Sequence, residues 1–185
     1  MPQRPLEARG PVATGVPRPH NAANRGITLR DALVADIGAL VVLINAAYKP
    51  RDGKIFPYER TDPDDIAAGI DAAVKTIIVA EIDGIIAASV HLDITPPEAH
   101  FGPLATSVAH QGRGLAPALI AECERRARAA GCDVMRIGII REVGLQPYYE
   151  ALGYRYASET PGQELTWGQN TTRPFTLVHM EKALP

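Results

Sequence analysis

LATSVAHQGRGLAPALIAECERRARAA, residues Leu104 to Ala130, joins three local patterns in a short space. A strand-like approach ends near Ser107. A glycine-rich turn follows, Gln111-Gly112-Arg113-Gly114-Leu115-Ala116. A strong helical pattern then opens, with Pro117 at or near its first turn, where its missing N–H would have had no partner. A helix start leaves unpaired N–H groups and partial positive charge, so it attracts anions, phosphates above all. Gly112 and Gly114 carry no Cβ, so the backbone there can turn sharply and approach a ligand closely. A Walker-type loop needs Lys and then Ser or Thr after its last glycine, but Leu115 and Ala116 follow Gly114. A dinucleotide fingerprint needs a third small residue and an early position after a parallel strand, and neither is present.

Outward from this stretch the pattern is regular. Ile27-Thr28-Leu29-Arg30 alternates as a first strand. Asp31 to Tyr48 carries Leu33, Ile37, Leu40, Val41, Ile44 and Ala47 at spacings of three and four, which predicts an amphipathic helix. Lys49 to Pro57 reads as loop. Thr61-Asp62-Pro63-Asp64-Asp65 is a helix start, with that helix running to about Val74. Thr76 to Glu81 and Ile85 to Ile94 are strands around the hairpin signal Asp83-Gly84. A fourth strand covers Ala99 to Ser107. Behind the long helix, which stops near Gly131, come a strand at Asp133 to Ile140, a short helix at about Leu145 to Leu152, and strands at Tyr154 to Ser158 and Pro174 to Lys182. The order β-α-α-β-β-β-α-β-α-β-β is an α/β mixture: antiparallel runs with one β-α-β unit.

The chain has 185 residues, right for one domain with an extension. Apolar residues make up 46% and charged residues 22%, so a packed core is feasible; with aromatics at 5%, that core must rest on Ala, Val, Ile and Leu. A net charge of -2 makes no case for a nucleic acid or a membrane surface as partner. Cys123 and Cys132 make no disulfide framework, and no Cys/His spacing suggests a metal site, so a reduced, cytoplasmic protein is expected. No apolar run nears the roughly 20 residues that span a bilayer. Residues 1–26 read differently, with five prolines and four arginines against Glu7 alone. Such a segment buries too little surface to offset its ordering entropy, so a flexible basic tail is expected, with the domain at 27–185.

The glycine turn also resembles the GNAT superfamily of acyl-CoA N-acyltransferases, whose signature Q/R-x-x-G-x-G/A opens its longest helix. Gln111, Gly114 and Ala116 fill those positions. The family's L-A-V strand end falls on Leu104-Ala105-Thr106, with Thr106 in place of Val. Pro147-Tyr148-Tyr149-Glu150-Ala151-Leu152-Gly153-Tyr154 looks like the family's Y-E-x-x-G-F/Y element. The likeness spans about Ile27 to Ala183 and departs at Glu142, where many relatives carry Asn.

The resemblance implies a central, mostly antiparallel sheet of six to seven strands, splayed between strands four and five and flanked by about four helices. It implies acetyl-CoA as co-substrate and no metal. The pyrophosphate would meet the backbone of Gly112, Arg113, Gly114, Leu115 and Ala116, beside Gln111, and Arg113 could pair with a phosphate. The pantetheine arm would run along Leu104, Thr106 and Val108 as an added strand. The N–H near Thr106 would polarise the thioester carbonyl. Tyr149 matches the family's tyrosine that protonates the leaving thiolate, a task suited to a phenol; the competing reading is an aromatic that only packs, as Tyr148 is read. His100, on the strand ahead of Thr106, is the first candidate base. Glu98, two residues earlier on the same face, is the alternative, Glu81 is a lesser one, and a water chain without a dedicated base stays open.

The acceptor would lie between Tyr48 to Asp71 and Thr160 to Arg173, where Phe56, Tyr58 and Trp167 could supply walls. Glu59, Asp62, Asp64, Asp65 and Asp71 in the first segment would favour a cationic amine if they lined the mouth, and are otherwise helix-start acids and a solvated face. The expected activity is transfer of an acetyl group to a small cationic amine or a protein amine. The alternative is a GNAT-fold module that binds acyl-CoA without turnover. A homodimer is a compatible assembly.

Overall fold

The computed structural model describes residues 26–185, so the reading of Met1 to Arg25 as a tail lies outside the described residues. The chain forms β1 (Ile27–Asp31), α1 (Ile37–Asp52), α2 (Pro63–Asp71), β2 (Lys75–Ile82), β3 (Ile85–Thr95) and β4 (Glu98–Thr106). It continues with α3 (Leu115–Ala129), β5 (Val134–Ile140), α4 (Gln146–Ala151), β6 (Arg155–Pro161) and β7 (Thr176–Ala183). The expected element order is observed. The seven strands make one sheet in the order β1-β2-β3-β4-β5-β7-β6. Every pair is antiparallel except β4–β5, which pair in parallel only over Glu98–His100 and Val134–Arg136. Beyond those residues the two strands no longer pair, and the sheet opens. Among the described residues no helix is long and apolar enough to cross a membrane.

The helices cover the two faces. α1 and α2 place Leu40, Ile44 and Ile66 against Ile77, Val79 and Ala105. α3 places Leu115, Leu119, Ile120, Cys123 and Ala127 on the other face, against β3 and β4. Burial pushes the Cys123 thiol up to about 12, so it is a small core residue rather than a nucleophile. The buried stripe of α3 also includes Glu124, which the helical spacing did not announce as interior. Its carboxylate accepts hydrogen bonds from the Tyr154 hydroxyl at 3.0 Å and from Lys182 Nζ at 2.8 Å, and pairs with Arg128 at 3.3 Å. A buried charge persists only when paired in this way, and the network ties α3 to β7 and the start of β6.

Two boundaries differ from expectation. α1 begins six residues later than Asp31, because Arg30 is drawn into ion pairs with Asp36 and Glu81 and a short 3-10 turn, Val34–Asp36, intervenes. It also runs through Pro50 to Asp52. Proline there removes one donor near the helix end, and tertiary contacts of Asn45 and Tyr48 hold this part of the helix in place. α2 stops at Asp71 rather than near Val74, and its start is capped as expected, the Asp65 N–H donating to Asp62 Oδ1 at 2.9 Å.

His91 on β3 lies under α2 near Gly69, with Nε2 buried and unpartnered among the described residues. Burial, with the charges of Lys75 and Arg60 adding to it, lowers its pKa from 6.5 to about 4. The fold therefore holds His91 neutral, and between these two values the unfolded chain binds the extra proton. Stability from this group is present above pH 6.5 and is lost as pH falls toward 4. Urea denaturation should show the protein less stable at pH 5 than at pH 7 by roughly 2 kcal/mol from His91 alone. His91→Gln should flatten that slope; an unchanged slope would mean that His91 titrates normally in the fold.

Candidate active site

Where β4 and β5 part, a cleft of about 1830 Å³ opens. That exceeds the ~300–1,000 Å³ of ordinary small-molecule pockets. One end is formed by the glycine loop. A 3-10 turn, Val108–His110, leads from β4 into it. Gly112 has φ 76° and Gly114, which caps α3, has φ 82°. A Cβ on either would meet nothing within 4 Å, so glycine is required by the backbone conformation and not by packing. The first intrahelical bond runs from the Ala118 N–H to Gly114 O at 3.1 Å. The amides of Leu115 and Ala116 precede it and have no intrahelical acceptor, and Pro117 has no amide to offer. Backbone donors thus line the mouth of the loop, a form suited to phosphate oxygens.

The wall between the two ends is β4. Its pairing with β3 shifts register between Val90 and Leu92, making a bulge around Gly102 and Pro103, with Gly102 at φ 135°. A Gly-Pro pair inside a strand is a bulge signal, and the continuous strand expected here overlooked it. Past the bulge, the Ser107 N–H donates to Ala87 O on β3 at 2.9 Å. Strand alternation then directs the amides of Leu104 and Thr106 toward the β5 side, into the cleft. The Leu104 N–H donates to Tyr48 Oη at 3.1 Å, and the Tyr48 hydroxyl donates to Leu104 O at 3.1 Å. α1 therefore reaches into the fork and fills the ladder position that β5 has left. The Thr106 hydroxyl is buried with no partner among the described residues and lines the same cleft.

Most of the residues singled out from the sequence come together here. Leu104, Thr106, Gln111, Gly112, Arg113, Gly114, Leu115, Ala116, His100 and Tyr149 all line the cleft. Val108 does not, being on the exposed face of its turn. Tyr149 is 7% exposed and packs against Phe101, Tyr148 and Tyr154, with ring centroids 6.3, 5.1 and 6.0 Å away. Tyr148, read as packing alone, also lines the cleft, and its hydroxyl is buried without a partner among the described residues. Desolvation raises its pKa above the usual value for a phenol.

The base candidates separate. His100 faces the cleft, paired across the ladder with Asp93. Its ring is solvent-accessible, yet the surrounding protein lowers its pKa by desolvation, Asp93 opposes this, and His179 and Lys75 add to it. It is neutral near pH 7 and able to take a proton. Glu98 lies at the closed, paired end of β4–β5, bound to Arg136 at 2.7 Å, and is not among the cleft residues. Glu81 is committed to Arg30. His110 lines the glycine-loop end, its Nδ1 3.4 Å from Ser107 Oγ. Among the described residues there is no cluster of three His, Cys, Asp or Glu side chains able to hold a metal ion.

The acidic segment does not line the mouth. Asp62 caps α2, Glu59 pairs with Lys49 at 3.6 Å, and Asp64, Asp65 and Asp71 are absent from the cleft. The residues from this segment that do enter are Tyr48, Phe56 and Arg60. Asn45 accepts from the amides of Arg60 at 2.8 Å and Thr61 at 3.1 Å, which fixes the loop. Tyr58 donates to Trp167 O at 2.9 Å, and Thr172 Oγ1 donates to Lys54 O at 2.6 Å, so the α1–α2 and β6–β7 connections are laced together at this end. Sequence reasoning missed Tyr48 and Arg60, because both owe their place to contacts across distant segments.

A mixed sheet opens between β4 and β5, with a helix start aimed into the opening. The family model for the GNAT acetyltransferase domain matches residues 44–166, and the chain belongs to that family. Solved structures share the fold. A ribosomal-protein-alanine N-acetyltransferase from Brucella melitensis is 19% identical, with TM-score 0.68, over 85% of this chain and 99% of that one. The Salmonella typhimurium acetyltransferase-like protein yncA, solved with its cofactor acetyl-CoA, is 22% identical, with TM-score 0.66, over 86% and 95%. An N-acetyltransferase from Staphylococcus aureus Mu50 is 16% identical, with TM-score 0.69, over 86% and 99%. No curated protein sequence matches the chain.

Proposed function

We propose that the protein transfers an acetyl group from acetyl-CoA directly to an amine. The observation that carries this reading is the continuity of the cleft: phosphate-suited amides at Gly112 to Ala116, the inward amide of Thr106 at the fork, and Tyr149 and His100 beside it. In this reading the pyrophosphate sits on the loop with Arg113 and Gln111 beside it, and the pantetheine arm follows β4. Thr106 N–H hydrogen-bonds the thioester oxygen as charge develops there. An ammonium gives its proton to His100 or to water, and the neutral nitrogen attacks the carbonyl carbon. The C–N bond forms, the C–S bond breaks, and Tyr149 protonates the thiolate. The remaining proton on nitrogen leaves to solvent, which gives the amide and free CoA; the enzyme is restored once Tyr149 regains a proton and His100 releases the one it took.

Incubation with acetyl-CoA and a panel of amines, read by mass spectrometry, should give N-acetylated product and one free CoA thiol for each acetyl group moved. CoA binding with no product from any amine would support the alternative, a binding module without turnover.

A further inference from the structure

The acceptor end of the cleft has a charge pattern opposite to what the composition of its segment suggests. The charged side chains lining the cleft are Arg60, Asp83 and Arg113. Arg113 belongs to the glycine loop, and Asp83 to the β2–β3 turn at the same end as the close of β4. Among the described residues, only Arg60 is left at the acceptor end, with His100. Of the described acids nearby, Asp62 caps α2, Glu59 pairs with Lys49, and Asp64, Asp65 and Asp71 do not line the cleft.

Arg60 is also held ready. Asn45 pins its backbone, and its guanidinium lies over the Tyr48 ring, 5.2 Å from the centroid. Among the described residues it makes no ion pair, so the edges of its planar fork are available. The Tyr48 hydroxyl, at the far end of the same ring, sits on Leu104 at the fork. One tyrosine ring therefore separates a cation from Leu104 on the strand edge, two residues before the Thr106 amide that would hold the thioester. A cation on that side of the fork suits a small acceptor that carries its amine and an anion together. A stacked guanidinium presents two parallel N–H groups that match a carboxylate in a bidentate pair. Phe56 and Trp167, with ring centroids 6.1 Å apart, form an apolar wall beside it.

We propose that the acceptor is a primary amine that carries a carboxylate, an α-amino acid or a close analogue with an apolar side chain, and that Arg60 takes its carboxylate. This rests on the transferase reading above. Among the described residues a polyamine would find no counter-charge in this half of the cleft, and a lysine within a protein would bring no carboxylate.

The test compares matched acceptors, α-amino acids with apolar side chains against their amides, their decarboxylated amines and short peptides with the same first residue, by CoA release in the full chain. The free amino acid should have kcat/KM higher than its amide by roughly 10- to 100-fold, the worth of a hydrogen-bonded charge pair. Arg60→Ala should raise KM for the amino acid by a similar factor, with KM for the amide and for acetyl-CoA unchanged, and Arg60→Lys should fall between. Equal turnover of amino acid and amide, or a loss in Arg60→Ala shared by both, overturns the assignment. Product from polyamines or peptides but from no amino acid overturns it and leaves the transferase reading standing. No product from any acceptor, with CoA still raising thermal stability, defeats the transferase reading and this one with it.

Discussion

Gly114→Val should weaken acetyl-CoA binding by about 100-fold or more while the protein still folds. Gly114 sits at φ 82°, and a Cβ there would meet nothing within 4 Å. The substitution therefore costs the free protein only backbone strain, of order 1–2 kcal/mol for a residue in the left-handed region. The open space in front of the residue is where a pyrophosphate would have to approach the amides of Leu115 and Ala116. A branched side chain would fill it and move those amides. Gly131 supplies a matched control, because it has φ 81° and equally open space at the other end of α3. Gly131→Val should lose similar stability and keep CoA affinity. If both variants lose affinity equally, or neither does, the loop does not hold the cofactor.

Tyr149→Phe should lower kcat by roughly 100-fold or more, in the range of a lost general acid, with little change in CoA affinity. The ring packs against Phe101, Tyr148 and Tyr154, and phenylalanine keeps those contacts. Stability should change by no more than about 1 kcal/mol, the usual net worth of one hydrogen bond. Tyr148→Phe is the necessary companion. Its hydroxyl is buried at the same cleft without a partner among the described residues, so its removal should be neutral or mildly stabilising. A kcat loss in Tyr148→Phe with full activity in Tyr149→Phe would transfer the acid role to the neighbouring ring. Full activity in both would leave the thiolate to be protonated by solvent.

The glycine loop and the start of α3 were legible in the sequence because their physics is local. Two glycines and a proline ahead of an amphipathic stripe specify a turn and a helix start with little help from elsewhere, and Asp83-Gly84 specifies a hairpin, with φ 52° and 76° as that turn demands. The splay was expected from the family resemblance alone. No residue pattern announces that β4 and β5 pair over three residues and then part. The bulge had a local signal in Gly102-Pro103, passed over because the apolar residues around it alternate well enough for a strand. Tyr48 and Arg60 had none. Tyr48 meets Leu104 across 56 residues of chain, and Arg60 is placed by an asparagine on another helix. The composition of the acidic segment admits two readings, a negative mouth or helix-start acids and a solvated face, and the second holds: Asp62 serves a cap, Glu59 a surface pair, and the charged residue of the segment that lines the cleft is Arg60.

The most direct measurement is a crystal structure of the chain with CoA. The pyrophosphate should lie within hydrogen-bond reach of the amides from Gly112 to Ala116, with the sulfur at the fork between β4 and β5, close to Thr106 N–H and the Tyr149 hydroxyl. CoA bound elsewhere, or a sulfur directed away from the fork, would contradict the account.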